Sequence, residues 1–405
     1  MKLRNQLLAL FCLLLFAGVG VLYFRVWVVQ KPFGIIVFVS DGMVTRHLTA
    51  ARLYQGGADH RLILENMPNL ALVANYARDF SVPDAAAAAT ALATGVKVSH
   101  RHLAIGSGGE SLQTIVDLAQ DQGRAIGIVT TGQLTDPTPA AFYAHHGDSR
   151  NVEEIAAQFI SGRRIDVALG GGAADFLPPE KGGRRRDGRD LLAELKQQGR
   201  ELISSKAELE SAAVFRTEGL LGFFAPRGLA FRDEIEAAQQ QPSLSDMVRR
   251  AVQFLQQNRT GYLLIVDSAL VTRAAELNQG ERVLEETLAL DHAVGTAMKY
   301  AGEKSLILAV GKHATGGMTL NGYPTRLDHG VALLGTTAAG YPSITWATGP
   351  NGATPPAANE PTAYQTPSAL NTAEDVIAVG QGSGSEKLRG FIDNTAIFRI
   401  LRDAL

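Results

Sequence analysis

The sequence predicts an α/β body: a three-layer fold with a mostly parallel central sheet and helices on both faces, behind an N-terminal transmembrane helix. Three observations predict it. Short apolar, β-branched runs recur along the chain, each ending in a polar tip. Stretches with helical periodicity lie between them. Ahead of them all, Leu7 to Phe24 is an unbroken run of 18 apolar or small residues. Strands buried on both sides read as continuous hydrophobic runs, and strand–helix alternation is the pattern of a parallel sheet.

The leading apolar run follows Lys2 and Arg4. It is longer than the hydrophobic region of a usual signal peptide and lacks a clear Ala-x-Ala exit. With Val26-Trp27-Val28-Val29 continuing it, a helix can cross roughly 30 Å of hydrocarbon. Residues 1–30 are therefore expected to form an uncleaved signal anchor, with the body outside the cytoplasm on the periplasmic or extracellular side. The alternative is secretion after cleavage. Arg25 and Lys31 follow the segment and weaken the charge asymmetry that orients such helices. Cys12, the single cysteine, sits inside this run, so neither an internal disulfide nor a Cys-based zinc site is available.

Gly34 to Val39 is the first strand, ending at Ser40-Asp41-Gly42. The pattern returns at Ala125 to Val129 before Thr130-Thr131, and at Ile165 to Leu169 before Gly170-Gly171-Gly172. It returns again at Tyr262 to Val266 before Asp267, and at Ser305 to Val310 before Lys312-His313. Helical periods run from Ser111 to Gln122 and from Ser245 to Gln257. In such sheets ligands bind beyond the carboxyl ends of the strands, which groups Asp41, Thr130, Asp267 and His313 at one candidate site. A Gly/Arg-rich stretch, 173–201, and a stretch dense in Pro, Gly, Thr and Ala, 321–372, interrupt the alternation. Both read as insertions around a single domain, 31–405.

The 405 residues are 46% hydrophobic with 42 glycines, which suits a folded body with many tight turns. A net charge of −2 gives no electrostatic case for nucleic acid. Arg184-Arg185-Arg186 is flanked by Glu180, Asp187 and Asp190 and reads as a solvated loop face.

Between Ser81 and Lys97 lies Asp84 followed by five alanines, Ala85 to Ala89. This segment, with Ser40-Asp41-Gly42-Met43, Thr130 to Ala144, Leu169 to Gly172, Leu284 to Ala293, His313 to Leu320 and Phe391 to Thr395, resembles the alkaline phosphatase family. The resemblance spans roughly Phe33 to Leu401. It implies phosphate or a phosphoester as ligand, a homodimer, and chemistry run by two zinc ions and one magnesium ion. In that family a serine directly follows the aspartate and attacks phosphorus. Ala85 has no oxygen with which to do so.

The resemblance also implies roles residue by residue. Asp41 matches the aspartate that bridges zinc and magnesium, Asp136 and Thr138 match the magnesium-side pair, and Arg150 matches the arginine that grips phosphate. Asp267 stands for the magnesium glutamate, one methylene shorter. The zinc-binding aspartate and histidine of one helix become Thr272 and Glu276, and the last zinc histidine becomes Asn371. His313 survives, but the aspartate before it becomes Lys312. One zinc site thus loses all three protein ligands and the other loses two, so zinc is not expected. A residual magnesium or calcium ion on Asp41, Asp136, Thr138 and Asp267, beside His313, is the metal expectation. Lys312 is expected to supply fixed positive charge beside Asp41 where an ion sits in the family. The pairs His145-His146 and His100/His102 fall outside the matched positions, and Asp328-His329, in the interrupted region, is a better candidate than either for a relocated ligand, though not one expected to bind. The function expected is a membrane-anchored, catalytically inactive pseudophosphatase with a binding or structural role. The alternative is a metal-dependent phosphomonoesterase with a non-standard site.

Overall fold

The structure, a computed structural model, describes residues 2–23, 31–40, 43–162, 165–214, 219–238, 240–321, 342–352 and 364–405. Asp41, Asp328 and His329 lie outside the described residues.

Ten strands form the central sheet: β1 (Gly34–Ser40), β2 (Asn69–Ala74), β3 (Ala125–Gln133), β4 (Val167–Gly171), β5 (Glu201–Ile203), β6 (Leu220–Phe223), β7 (Tyr262–Ser268), β8 (Leu306–Gly311), β9 (Val376–Gln381) and β10 (Arg389–Asp393). Their spatial order is β10-β2-β9-β8-β1-β7-β3-β4-β6-β5. Only β9 runs against its neighbours; all other pairings are parallel. The five strands read from the sequence are β1, β3, β4, β7 and β8, a contiguous block at the centre of the sheet.

Successive side chains of a strand point to opposite faces, and in the central strands both faces are buried. Ile36 and Phe38 of β1 join one core with Leu264, Val266 and the helices Leu244–Leu255 and Gly280–Tyr300. Ile35, Val37 and Val39 join the other, with Leu263, Ile265, Val116 and Leu401. The result is the three-layer arrangement expected. The stretch 173–201 is more than a peripheral loop: its helix Leu191–Gln197 puts Leu191 and Leu195 into the second core. In the basic run inside it Arg184 and Arg186 are exposed, as a solvated face requires, but the residue between them is not. Arg185 is 1% exposed and donates to the carbonyls of Glu153 and Asp175 and to the Asp187 carboxylate.

At the N-terminus, Lys2–Tyr23 is one helix, and its Leu3–Val21 segment is long and apolar enough to cross a membrane by length and composition.

Candidate functional site

A cavity of about 390 Å³ opens at the carboxyl ends of the central strands, where the sequence placed the site. Asp267, at the end of β7, is 1% exposed and accepts a hydrogen bond from Thr130 Oγ1 of β3 at 2.7 Å. Past the end of β3 the chain turns into the short helix Pro137–Ala140. Asp136 precedes it, and its carboxylate accepts from Gln133 N–H at 2.7 Å and from Gln133 Nε2 at 2.9 Å. Burial pushes the Asp136 carboxyl above its ordinary range, while the Gln133 hydrogen bonds and the charge of Lys312 pull it back. Thr138, within the helix, is 3% exposed.

Lys312 follows β8 directly, and its N–H donates to Ser40 O at 2.9 Å. It is 2% exposed, so it does not point to solvent. Its ammonium donates to Thr138 Oγ1. The lysine expected beside Asp41 therefore reaches the Asp136–Thr138 pair, and the distance to Asp41 lies outside the described residues.

His313, also buried, lies 3.4 Å through Nδ1 from Thr315 Oγ1. Thr315 Oγ1 donates to Asn371 Oδ1 at 3.1 Å, and Asn371 Nδ2 donates to Pro83 O at 3.1 Å. This chain of contacts holds the segment just ahead of Ala85. Ala85 begins the helix Ala85–Thr94, capped by Asp84, whose carboxylate accepts from Ala87 N–H at 2.9 Å. The Ala85 methyl faces the same cavity. The wall opposite comes from the helix Ala269–Glu276, with Thr272, Arg273 and Glu276. Thr272 is 9% exposed and its hydroxyl has no hydrogen-bond partner among the described residues.

Ala85, Asp136, Thr138, Asp267, Thr272, Glu276, Lys312, His313 and Asn371 thus share one cavity. Arg150 does not line it. Its guanidinium is bound by Asp148 Oδ2 at 2.7 Å and stays largely exposed, facing a separate depression with Arg184. Sequence reasoning missed Arg273, whose guanidinium makes no ion pair or hydrogen bond among the described residues. The available signal was its position next to Thr272 on one helix. His145 and His146 are engaged by backbone groups: His145 Nδ1 lies 3.1 Å from Ala104 O, and His146 Nδ1 lies 2.8 Å from Asp148 O.

Solved alkaline phosphatases share the fold. That of the Antarctic bacterium TAB5 superposes with a TM-score of 0.75 at 21% identity, covering 93% of this chain and 98% of its own. That of Thermus thermophilus gives 0.77 at 24% identity, covering 93% and 92%. The alkaline phosphatase family model matches residues 34–349, and the chain belongs to the alkaline phosphatase family. Alkaline phosphatase 4 of Bacillus subtilis is 30% identical over 313 residues, 74% of this chain and 65% of that one. The human tissue-nonspecific isozyme is 28% identical over 342 residues, covering 72% and 64%. The chain spans just under two thirds of the length of these relatives.

Metal ions come with the family; a TAB5 variant is solved with Mg bound in its M3 site. Among the described residues, which leave out Asp41, the side chains do not fit a divalent ion. Among the described residues no group of three His, Cys, Asp or Glu converges to hold one. Where Asp136 and Thr138 would face magnesium, Thr138 Oγ1 instead accepts from an ammonium. A single and a double positive charge about 4 Å apart repel by about 8 kcal/mol at an effective dielectric constant of ~20.

Proposed function

We infer that this protein is a catalytically silent member of its family that binds a phosphate-class anion in the cavity beyond β1, β3, β7 and β8. One observation carries the reading: the residue at the head of the capped helix that faces the cavity is Ala85, which has no nucleophilic atom. The groups around it suit holding an anion. Lys312 and Arg273 supply positive charge, and the Thr272 hydroxyl has no partner among the described residues. Asp136 and Asp267 share the cavity, but Gln133 and Thr130 already donate to them. A guanidinium binds phosphate oxygens through paired N–H donors, which gives Arg273 the gripping role that Arg150 cannot fill while it is held by Asp148. The N-terminal helix serves as an anchor, with the body outside the cytoplasm.

A second reading, metal-dependent phosphomonoester hydrolysis at a non-standard site, is supported by the activity in the relatives' names. One experiment separates the two. The full chain, purified in detergent and free of contaminating phosphatase, is assayed on an aryl phosphate with added zinc and magnesium and titrated calorimetrically with inorganic phosphate. Loss of an activated nucleophile alone costs on the order of 10⁶-fold, so no turnover above background is expected. Phosphate should bind, and Arg273→Ala should weaken it about tenfold, the size of one charge-assisted contact. Ala85→Ser should restore nothing, because the new hydroxyl would have no metal to activate it. Robust metal-dependent turnover by the natural chain would establish the second reading instead.

A further inference from the structure

We propose that Lys312 is a built-in cation that takes the place of the divalent ion on the Asp136–Thr138 side of the cavity, making the site independent of metal. The backbone fixes where this side chain goes. Lys312 N–H donates to Ser40 O at 2.9 Å, and Lys312 O accepts from Asn75 Nδ2. Asn75 is itself held through Oδ1 by Asn394 Nδ2 at 3.1 Å. The residue is clamped from both sides at the end of β8, and its side chain runs inward, 2% exposed.

At its tip the ammonium donates to Thr138 Oγ1, and its charge acts on the neighbouring Asp136 carboxylate. Asp267 lines the same cavity. A hydroxyl and two carboxylates are the oxygen donors that a hard divalent cation prefers. A lysine ammonium serves the Thr138 oxygen and the Asp136 charge differently. It carries three N–H donors and one charge, is covalently tethered, and cannot be removed by a chelator. It also leaves no open coordination position, so it stabilises the oxygens without polarising a bound water or substrate.

This inference rests on family membership and on the placement of Lys312, and it holds whether or not the protein turns over a phosphoester. The test uses the full chain in detergent, purified from magnesium-containing buffer. Metal content is measured by mass spectrometry, and melting is followed with and without EDTA. The natural chain should hold well under one equivalent of magnesium, calcium or zinc, and EDTA should leave its melting temperature unchanged. Lys312→Met keeps most of the apolar stem and removes the charge. It should melt several degrees lower, and millimolar magnesium should recover part of that loss. Stoichiometric divalent metal in the natural chain, or a fall in its melting temperature with EDTA, would overturn the proposal, and this arm stands even if the variant fails to fold. So would a Lys312→Met variant that melts like the natural chain, or whose loss magnesium does not touch. A metal-free chain that nonetheless hydrolyses an aryl phosphate would defeat the binding-only function and leave this inference in place.

Discussion

Glu286 shows how the burial of a single carboxyl sets a pH dependence. It lies on the helix Gly280–Tyr300, is 3% exposed, and faces a second cavity of about 230 Å³ apart from the candidate site. Its Oε1 accepts from Arg232 N–H at 2.8 Å. Burial raises its pKa from an ordinary 4.5 to about 7, against the pull of that N–H and of the Arg232 charge. Between those values the folded protein keeps a proton that the unfolded chain has lost. The resulting stability is complete below pH 4.5 and is lost as the pH rises through about 7. Glu286→Gln keeps the acceptor for Arg232 N–H and removes the titration. Its advantage over the natural chain should be near zero in acid and grow to on the order of 3 kcal/mol by about pH 8. Melting curves of both proteins across this range check it; parallel pH profiles would show that Glu286 does not titrate as stated.

Among the elements, the helix Ala85–Thr94 is held in place without any contribution from an oxygen at its first position. Asp84 caps the first turn and also accepts from Arg101 N–H at 2.7 Å, while Gly95 ends the helix at a left-handed φ of 72°. The alanines pack closely: Ala86 and Ala89 meet Ala140, Ala141 and Ala144 in one small core. None of these features needs an oxygen at position 85. Asp84→Ala should therefore cost about 1–2 kcal/mol, the usual value of an N-cap, where Asp84→Asn should cost less because its amide oxygen still accepts. Denaturant unfolding of the two variants measures this, and equal losses would mean that the charge of Asp84 matters more than its cap. The same scale shows what the sequence could and could not tell. Central strands were legible because burial on both faces forces an unbroken apolar, β-branched run. β2 escaped because it has one open face: Leu70 and Leu72 are 54% and 44% exposed, so its leucines carried no alternation to read. β5, with three residues, is too short for a period, and β9 follows directly on a stretch that reads as loop.

For the whole molecule, legibility depended on what fixes each side chain. Residues tied to strand ends or helix starts, such as Asp267, Lys312 and Ala85, fell into one cavity as their positions required. Arg150 sits in a loop where Asp148, two residues away, captures its guanidinium, a local competition that no motif alignment displays. The N-terminal helix is the other feature that only the whole chain can test. Its Leu3–Val21 segment is 19 residues long, and a helix of that length spans about 29 Å, close to the hydrocarbon thickness of a bilayer. Leu8, Phe11, Leu15 and Phe16 are all well exposed, so the folded body does not cover the apolar side chains of this helix. If the segment is an uncleaved anchor, the full chain expressed in bacteria should sediment with membranes, resist alkaline carbonate and dissolve only in detergent. A chain begun at Lys31 should stay in the soluble fraction. Intact mass should retain residues 1–30, and protease added outside spheroplasts should digest the body while a cytoplasmic marker survives. A mature form that begins after the helix would make the segment a cleaved signal, and a body protected from external protease would reverse the orientation.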